Sequence, residues 1–395
     1  MKKIIVRCTC FAFVIISMFA LIVNGYVYAN EDAFADFSST SYILIDKDSN
    51  TILHALNPNQ KMPVASICKL MTTLITFENI ENGNLTLHDM LVASDHACSA
   101  EGSQAFLDAG SKYKVSELIK SVVVASANDS AIVLAESIGG TEHNFTSMMN
   151  KKAQELGMKN TLYANATGLP APSQYSTALD TAIILKEVSK YDLYNEYCKI
   201  WTDEFVHPSG RVTELVNTNR LIRYYDYCTS GKTGFTDEAG YCLSSMATKG
   251  DMNLVAVVLN CKDSAARFKE SMALYNYGFS NFKNKLVVDS TNPLDKTIAV
   301  NKGKNNFIQL IAEHDFSVID KIGDDGSIEI SYQLQDSIDA PFNDRTCVGK
   351  MIISKNGVVV GEVNILTYGE CGAQSYSDIV NKIASKWALW QYYIY

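Results

Sequence analysis

The apolar positions of this chain change period several times, and the changes divide it. Tyr42–Asp46 and Thr51–Ala55 alternate around the polar stretch Lys47-Asp48-Ser49-Asn50, which predicts a β-hairpin. Helical spacing follows: after Pro63, Leu70, Met71, Leu74, Ile75 and Phe77 fall on one side of a helix over 66–80. The same spacing predicts helices over 115–125, 129–138, 143–157 and 177–190. Alternation returns at Tyr241–Thr248 and Leu254–Asn260, before a helical pattern over Ala265–Phe279. Strands at both ends of a helical middle imply an α+β domain, one sheet closed by both ends with a helical lobe beside it.

Beyond that helix the texture becomes short strands: Thr297–Val300, Phe307–Ile311, Ile328–Leu334, Met351–Ile353 and Val358–Ile365. Asn356-Gly357 is a two-residue hairpin signal, and Asp324-Asp325-Gly326 marks another turn. A small all-β domain is expected over residues 282–371. In the final stretch, 372–395, Tyr376, Ile379, Val380, Ile383, Trp387, Trp390 and Ile394 share one helical face, against Asp378, Asn381, Lys382, Ser385 and Lys386. An amphipathic helix ending in tryptophans and tyrosines suits a membrane interface. Docking on the β domain is the alternative.

Lys2, Lys3 and Arg7 precede an apolar run from Phe11 to Val23 and the small-residue site Val27-Tyr28-Ala29, so residues 1–29 read as an export leader. The run is shorter than the ~20 residues a spanning helix needs. The expected location is therefore the outer face of the cytoplasmic membrane, with the first domain over residues 30–281. A formal net charge of −9, more negative once that leader is removed, argues against nucleic acid as a partner. Of ten cysteines, Cys8 and Cys10 leave with the leader. Cys68, Cys98, Cys198, Cys228, Cys242, Cys261, Cys347 and Cys371 remain, with no spacing that defines a disulfide framework, so paired and free thiols both stay open. The histidines include no His-x-x-x-His pair and the cysteines no Cys-x-x-Cys unit; neither a metal nor a cofactor is expected.

Candidate chemistry lies in three short motifs, in order: Ser66-Ile67-Cys68-Lys69, Ser126-Ala127-Asn128 and Lys232-Thr233-Gly234. Each alone is weak. Ser66 and Lys69 are i and i+3, on one face of a first helical turn. Read blandly, Ser66 is a helix N-cap. A capping box, however, wants Glu or Gln at the third position, whereas Lys69 puts a cation against the positive helix end. A lysine that serves as a base near neutrality must drop from about 10.4 to roughly 7, about 4–5 kcal/mol against its charged form. Desolvation, the helix end and Lys232 as a second cation would all push that way. Cys68, at i+2, points off that face and is expected to pack.

Together, in this order and spacing, the motifs match the active-serine signature of penicillin-binding proteins and class A β-lactamases. Over roughly residues 40–280, including Pro63-Val64-Ala65-Ser66 through Lys69-Leu70-Met71-Thr72 and Ser126-Ala127-Asn128-Asp129, the chain resembles the D-alanyl-D-alanine carboxypeptidase family of low-molecular-mass penicillin-binding proteins. The resemblance includes Phe145, Met149-Asn150, Leu156-Gly157-Met158, Asn160-Thr161, Gly168-Leu169 and Ser176-Thr177 with Asp180, and extends to the β domain and tail. Cys68 and Ala127 depart from its usual threonine and glycine. The resemblance implies a penicillin-binding, serine β-lactamase-like fold and a peptidoglycan stem peptide ending in D-Ala-D-Ala as substrate. Ser66 would be the nucleophile, Lys69 the base and Ser126 a proton relay, while Asn128 would hold the substrate amide and position Lys69. Lys232 and Thr233 would bind the terminal carboxylate, with Arg267 near it, and Gly234 would let backbone and ligand approach closely. The N–H groups of Ser66 and Phe235 would form the oxyanion hole, and β-lactams would acylate Ser66. Three rivals share these residues: a β-lactamase, for which Glu155 is the nearest deacylating glutamate, an endopeptidase of cross-links, and a non-catalytic muropeptide sensor.

Overall fold

A computed structural model describes residues 34–324, 326–381 and 383–384. The leader lies outside these residues, as does the tail from 385 onward. The chain divides into two compact units, the boundary falling between Ser280 and Asn281.

The first unit is built on a five-stranded antiparallel sheet. In spatial order its strands are Ile52–Leu56, Ser41–Asp46, Met252–Cys261, Gly240–Lys249 and Cys228–Thr236. The first hairpin thus pairs with a strand some two hundred residues later, Tyr42 opposite Val258 and Leu44 opposite Ala256. Ile43, Ile45, Val255 and Val257 join the core shared with the helical lobe. Against the sheet also lies the helix Ser264–Asn281, so close that a Cβ on Gly278 would sit 2.5 Å from Leu254 Cδ1. The cysteine-containing strand Cys228–Thr236 is left at the sheet edge, where it can face a ligand.

At the centre of the lobe runs the helix Lys69–Glu81, buried without a break from Lys69 to Phe77. A helix buried on every side must satisfy its own polar groups. Thr73 and Thr76 do so by donating to the carbonyls of Lys69 and Thr72, each at 2.8 Å, and Thr72 donates to Ala166 O at 2.7 Å. Side-chain caps begin its neighbours: Thr141 Oγ1 accepts from Asn144 N at 3.1 Å and Thr177 Oγ1 from Asp180 N at 3.0 Å.

Ser66 itself is not in this α-helix. Ala65–Cys68 form a turn of 3-10 helix, and the α-helix starts at Lys69. The tighter winding eclipses positions i and i+3, which aligns Ser66 with Lys69 better than an α-turn would. A second departure from the periodicity is the hairpin Thr202–Val206 with Val212–Val216. Its strands bury only Phe205 and Leu215, while Val206, Val212 and Val216 face outward, so apolar residues sit on both faces and give no clean alternation.

The second unit carries a six-stranded sheet in the order Ile328–Leu334, Cys347–Lys355, Val358–Thr367, Phe307–Ala312, Thr297–Asn301, Ser337–Asp339. The Asn356-Gly357 turn joins Lys355 to Val358 with both φ angles positive, +50° and +77°, as a tight hairpin requires. Phe282–Val288 pairs separately with Phe316–Lys321, two strands the alternation did not signal. Residues 376–381 are helical, with Tyr376, Ile379, Val380 and Ile383 exposed.

Candidate active site

A cleft of about 420 Å³ opens beside the edge strand, and Ser66, Ser126, Asn128, Thr233, Gly234, Phe235 and Arg267 all line it. Lys69 and Lys232 lie just beneath, 0% and 2% exposed. The residues singled out in the sequence therefore converge, although they come from four segments far apart in the chain: the Ser66 turn with its helix, the Ser126–Asn128 segment, the edge strand and the helix carrying Arg267.

Ser66 is held from behind. Ala65 adopts φ +49°, and Gly168 leaves room for it: a Cβ there would fall 2.0 Å from Ala65 O. The Gly168 loop is wound around Asn165, whose Oδ1 accepts from Gly168 N at 2.7 Å and Thr167 N at 3.2 Å. On the other side, a Cβ on Gly234 would lie 2.4 Å from Val64 O. Two glycines thus let two backbones close on the serine turn.

Lys69 Nζ donates to Ser66 Oγ at 2.9 Å and to Thr167 O at 2.7 Å. Burial brings its ammonium down to about 7, opposed by the Cys68 thiol and the Asp129 carboxylate. The expected push from Lys232 is felt in the other direction. Lys232 is driven well below its ordinary value by burial first, then by the charges of Lys69 and Arg267. Its Nζ donates to Ser126 Oγ at 2.7 Å and to Thr233 O at 3.1 Å. Ser126 holds a left-handed backbone, φ +63°, and such strain concentrates at functional sites.

Asn128 differs from what the resemblance implied. Its Nδ2 donates to Glu101 O at 2.5 Å, while both bonds of Lys69 go to Ser66 and Thr167. Asn128 thus fixes the Glu101–Ser103 loop, and its own N–H donates to Ser103 O at 2.7 Å. Its Oδ1 is buried with no protein partner, an acceptor left for a donor in the cleft. Beneath it, Asp129 is fully buried and accepts from Ala105 N and Leu107 N at 3.0 Å and from Ser130 N at 2.8 Å.

Arg267 stands at the far end, its Nη1 donating to Gly234 O at 3.1 Å and its guanidinium 5.4 Å from the Tyr241 ring centre. Tyr241 stacks in turn on the half-exposed Phe235, 4.3 Å between centroids. Cys68 packs away from this cluster, 1% exposed, with burial pushing its thiol up to about 12. All the cysteines among the described residues are free. Glu155 pairs with Lys152 at 2.9 Å on an outer helix face and does not line the cleft. Among the described residues no group of His, Cys, Asp or Glu side chains is placed to hold a metal ion.

The cleft also contains Gly102, Ser103, Thr218 and Thr236, which the motifs did not point to. For Thr218 a weak signal exists: it sits between two asparagines, Asn217 and Asn219, directly after a strand.

A buried low-pKa lysine on a serine hydroxyl, a second serine–lysine pair and a glycine-bordered edge strand define a serine acyl-transfer site. Residues 28–263 match the family model described as D-alanyl-D-alanine carboxypeptidase, and residues 282–371 match that of the penicillin-binding protein 5 C-terminal domain. The chain belongs to the D-alanyl-D-alanine carboxypeptidase family. It is 33% identical to the D-alanyl-D-alanine carboxypeptidase DacF of Bacillus subtilis, over 88% of this chain and 89% of that one. Against DacC of Escherichia coli it is also 33% identical, over 80% of each chain. Penicillin binding protein 5 of Haemophilus influenzae superposes with a TM-score of 0.72 at 28% identity, covering 88% of this chain and 100% of that one.

Proposed function

We propose that this protein is a serine-type D-Ala-D-Ala carboxypeptidase that removes the terminal D-alanine from peptidoglycan stem peptides through an acyl-enzyme on Ser66. The observation that carries the reading is Lys69 Nζ, 2.9 Å from Ser66 Oγ and buried enough to be neutral near pH 7. Neutral Lys69 takes the Ser66 proton as Oγ attacks the carbonyl between the two D-alanines. The N–H groups of Ser66 and Phe235 receive the developing oxyanion, a device worth roughly 10²–10³ in rate per donor. Ser126 passes a proton to the leaving amine, with Lys232 at 2.7 Å able to supply it. The buried Asn128 Oδ1 accepts the substrate amide N–H.

The free carboxylate of the substrate supplies the counter-ion that Lys232 lacks. Its arrival beside Lys232 and Arg267 favours the protonated amine, so binding and proton supply are coupled. Water then hydrolyses the ester and frees the shortened peptide. Penicillin follows the same first step and leaves a long-lived acyl-enzyme.

Among the described residues, none lining the cleft offers a carboxylate for rapid deacylation of a β-lactam ester, and the surface position of Glu155 supports a peptidase over a lactamase. The exposed apolar residues Tyr376, Ile379, Val380 and Ile383 support a tail that lies in a membrane interface after export. No described helix is long and apolar enough to cross a membrane.

Purified protein without residues 1–29 is expected to release D-alanine from a pentapeptide ending in D-Ala-D-Ala and to leave cross-linked dimers intact. Scission of dimers without D-alanine release would make it an endopeptidase, and loss of neither substrate a binding protein. Deleting residues 376–395 should abolish binding to anionic liposomes and leave hydrolysis in place; unchanged binding would contradict the anchoring.

A further inference from the structure

Thr233 was expected to offer its hydroxyl to the substrate carboxylate, yet its proton is already committed. Thr233 Oγ1 donates to Thr218 Oγ1 at 2.7 Å. Thr218 lines the cleft beside Thr233 and Arg267. Among the described residues no acceptor takes the Thr218 proton. A hydroxyl that accepts one hydrogen bond and borders a cleft keeps its own O–H for what enters that cleft.

We propose that Thr218 is a substrate-binding residue that donates its hydroxyl proton to the terminal carboxylate, with Thr233 acting through it. The inference rests on the carboxypeptidase reading above. In the Thr233-to-Thr218 chain, acceptance from Thr233 polarises the Thr218 O–H and strengthens it as a donor.

The backbone prepares that position. Asn217 and Asn219, 5% and 2% exposed, fix it from both sides. Asn217 Nδ2 donates to Ile200 O at 2.8 Å and its Oδ1 accepts from Asn219 N at 2.8 Å, while Asn219 Oδ1 accepts from Leu221 N at 3.1 Å. Thr218 N donates to Val124 O at 3.2 Å, two residues before Ser126. Thr218 therefore ties the Ser126 segment to the Lys232 strand and presents a hydroxyl whose ordering cost was met on folding. Electrostatics point the same way: burial first, then the charges of Lys69 and Arg267, hold Lys232 below its ordinary value, and burial, with a smaller push from Arg220 two residues beyond Thr218, lowers Arg267. Among the described residues, no carboxylate lines the cleft beside these cations.

The test compares Thr218→Val, which keeps the shape, with Thr218→Ser, which keeps the hydroxyl. Two peptides are used, one ending in D-Ala-D-Ala and the other in D-Ala-D-alaninamide. Thr218→Val should lose about 10- to 100-fold in kcat/KM on the acid, the range for a hydrogen bond to a charged group. The loss should fall mainly on KM, since the carboxylate is bound alike in ground and transition states. On the amide the variant should match wild type within about twofold, and Thr218→Ser should restore most of the acid activity. A merely structural role would lower both substrates together, leave Thr218→Ser as impaired, or leave acid preference intact; each of these overturns the assignment. Wild-type protein that releases no D-alanine from the acid peptide would refute the carboxypeptidase reading itself, and the role of Thr218 with it.

Discussion

Gly168 fits against Ala65 so closely that a single added methyl would lie 2.0 Å from the Ala65 carbonyl oxygen and 3.0 Å from Ser66 N. Both contacts are with backbone, which cannot swing aside, and Gly168 holds φ +81° besides. Gly168→Ala is therefore expected to push the Ser66 turn off Lys69. Acylation by penicillin should slow by at least about 10², because an ångström-scale misplacement costs that much. Melting temperature should fall as well, from left-handed strain of about 1–3 kcal/mol. Stopped-flow acylation and thermal unfolding measure the two effects.

Acylation should follow the protonation of Lys69. With the folded value near 7, the amine is charged and unable to accept a proton at pH 5, and mostly neutral at pH 8. The acylation rate should rise with pH through about 7, and Lys69→Arg should abolish it. Unfolded lysine titrates near 10.4. Between about 7 and 10.4 the unfolded chain thus binds more protons at this site than the folded one, so stability should increase with pH across that window. Lys69→Met should reduce that slope, read from denaturant melts at pH 7 and pH 9.5.

Asp129 carries the loop that bounds the cleft. Its carboxylate accepts from Ala105, Leu107 and Ser130 N–H groups while fully buried. In Asp129→Asn an amide NH₂ must face one of these donors. The expected loss is about 2–4 kcal/mol of stability, from unmade bonds to a charged acceptor. Urea unfolding at pH 7.5 checks it.

Thiol chemistry separates Cys68 from the nucleophile. The Cys68 Sγ points to Asn165 O at 3.3 Å, and its thiol stays protonated at neutral pH. Exposed Cys347 should react with a thiol reagent in the folded protein, and Cys68 only after unfolding. Cys68→Ala should retain penicillin labelling.

Much of this architecture was legible because the residues that position the site sit in strongly patterned segments. The Leu70–Phe77 stripe and the long apolar run Leu254–Leu259 predict helix and strand directly, and the hairpin at Tyr42 returns to that run. The spacing of Ser66 and Lys69 gave their pairing, although the turn holding them is 3-10 rather than α. What stayed hidden depends on backbone contact across the fold. No local pattern says that Asn128 will bond Glu101 O rather than Lys69, or that the proton of Thr233 goes to Thr218. The Thr202–Val216 hairpin was hidden for another reason: its inward side chains are only Phe205 and Leu215, and the outward valines Val206, Val212 and Val216 blur the alternation.

The most direct test is intact-protein mass spectrometry after exposure to benzylpenicillin, followed by mapping of the modified peptide. The account predicts one antibiotic per chain, carried by the peptide containing Ser66, and none on Ser66→Ala. An adduct of equal yield on Ser66→Ala, or one mapped to Cys68 or Ser126, would contradict it.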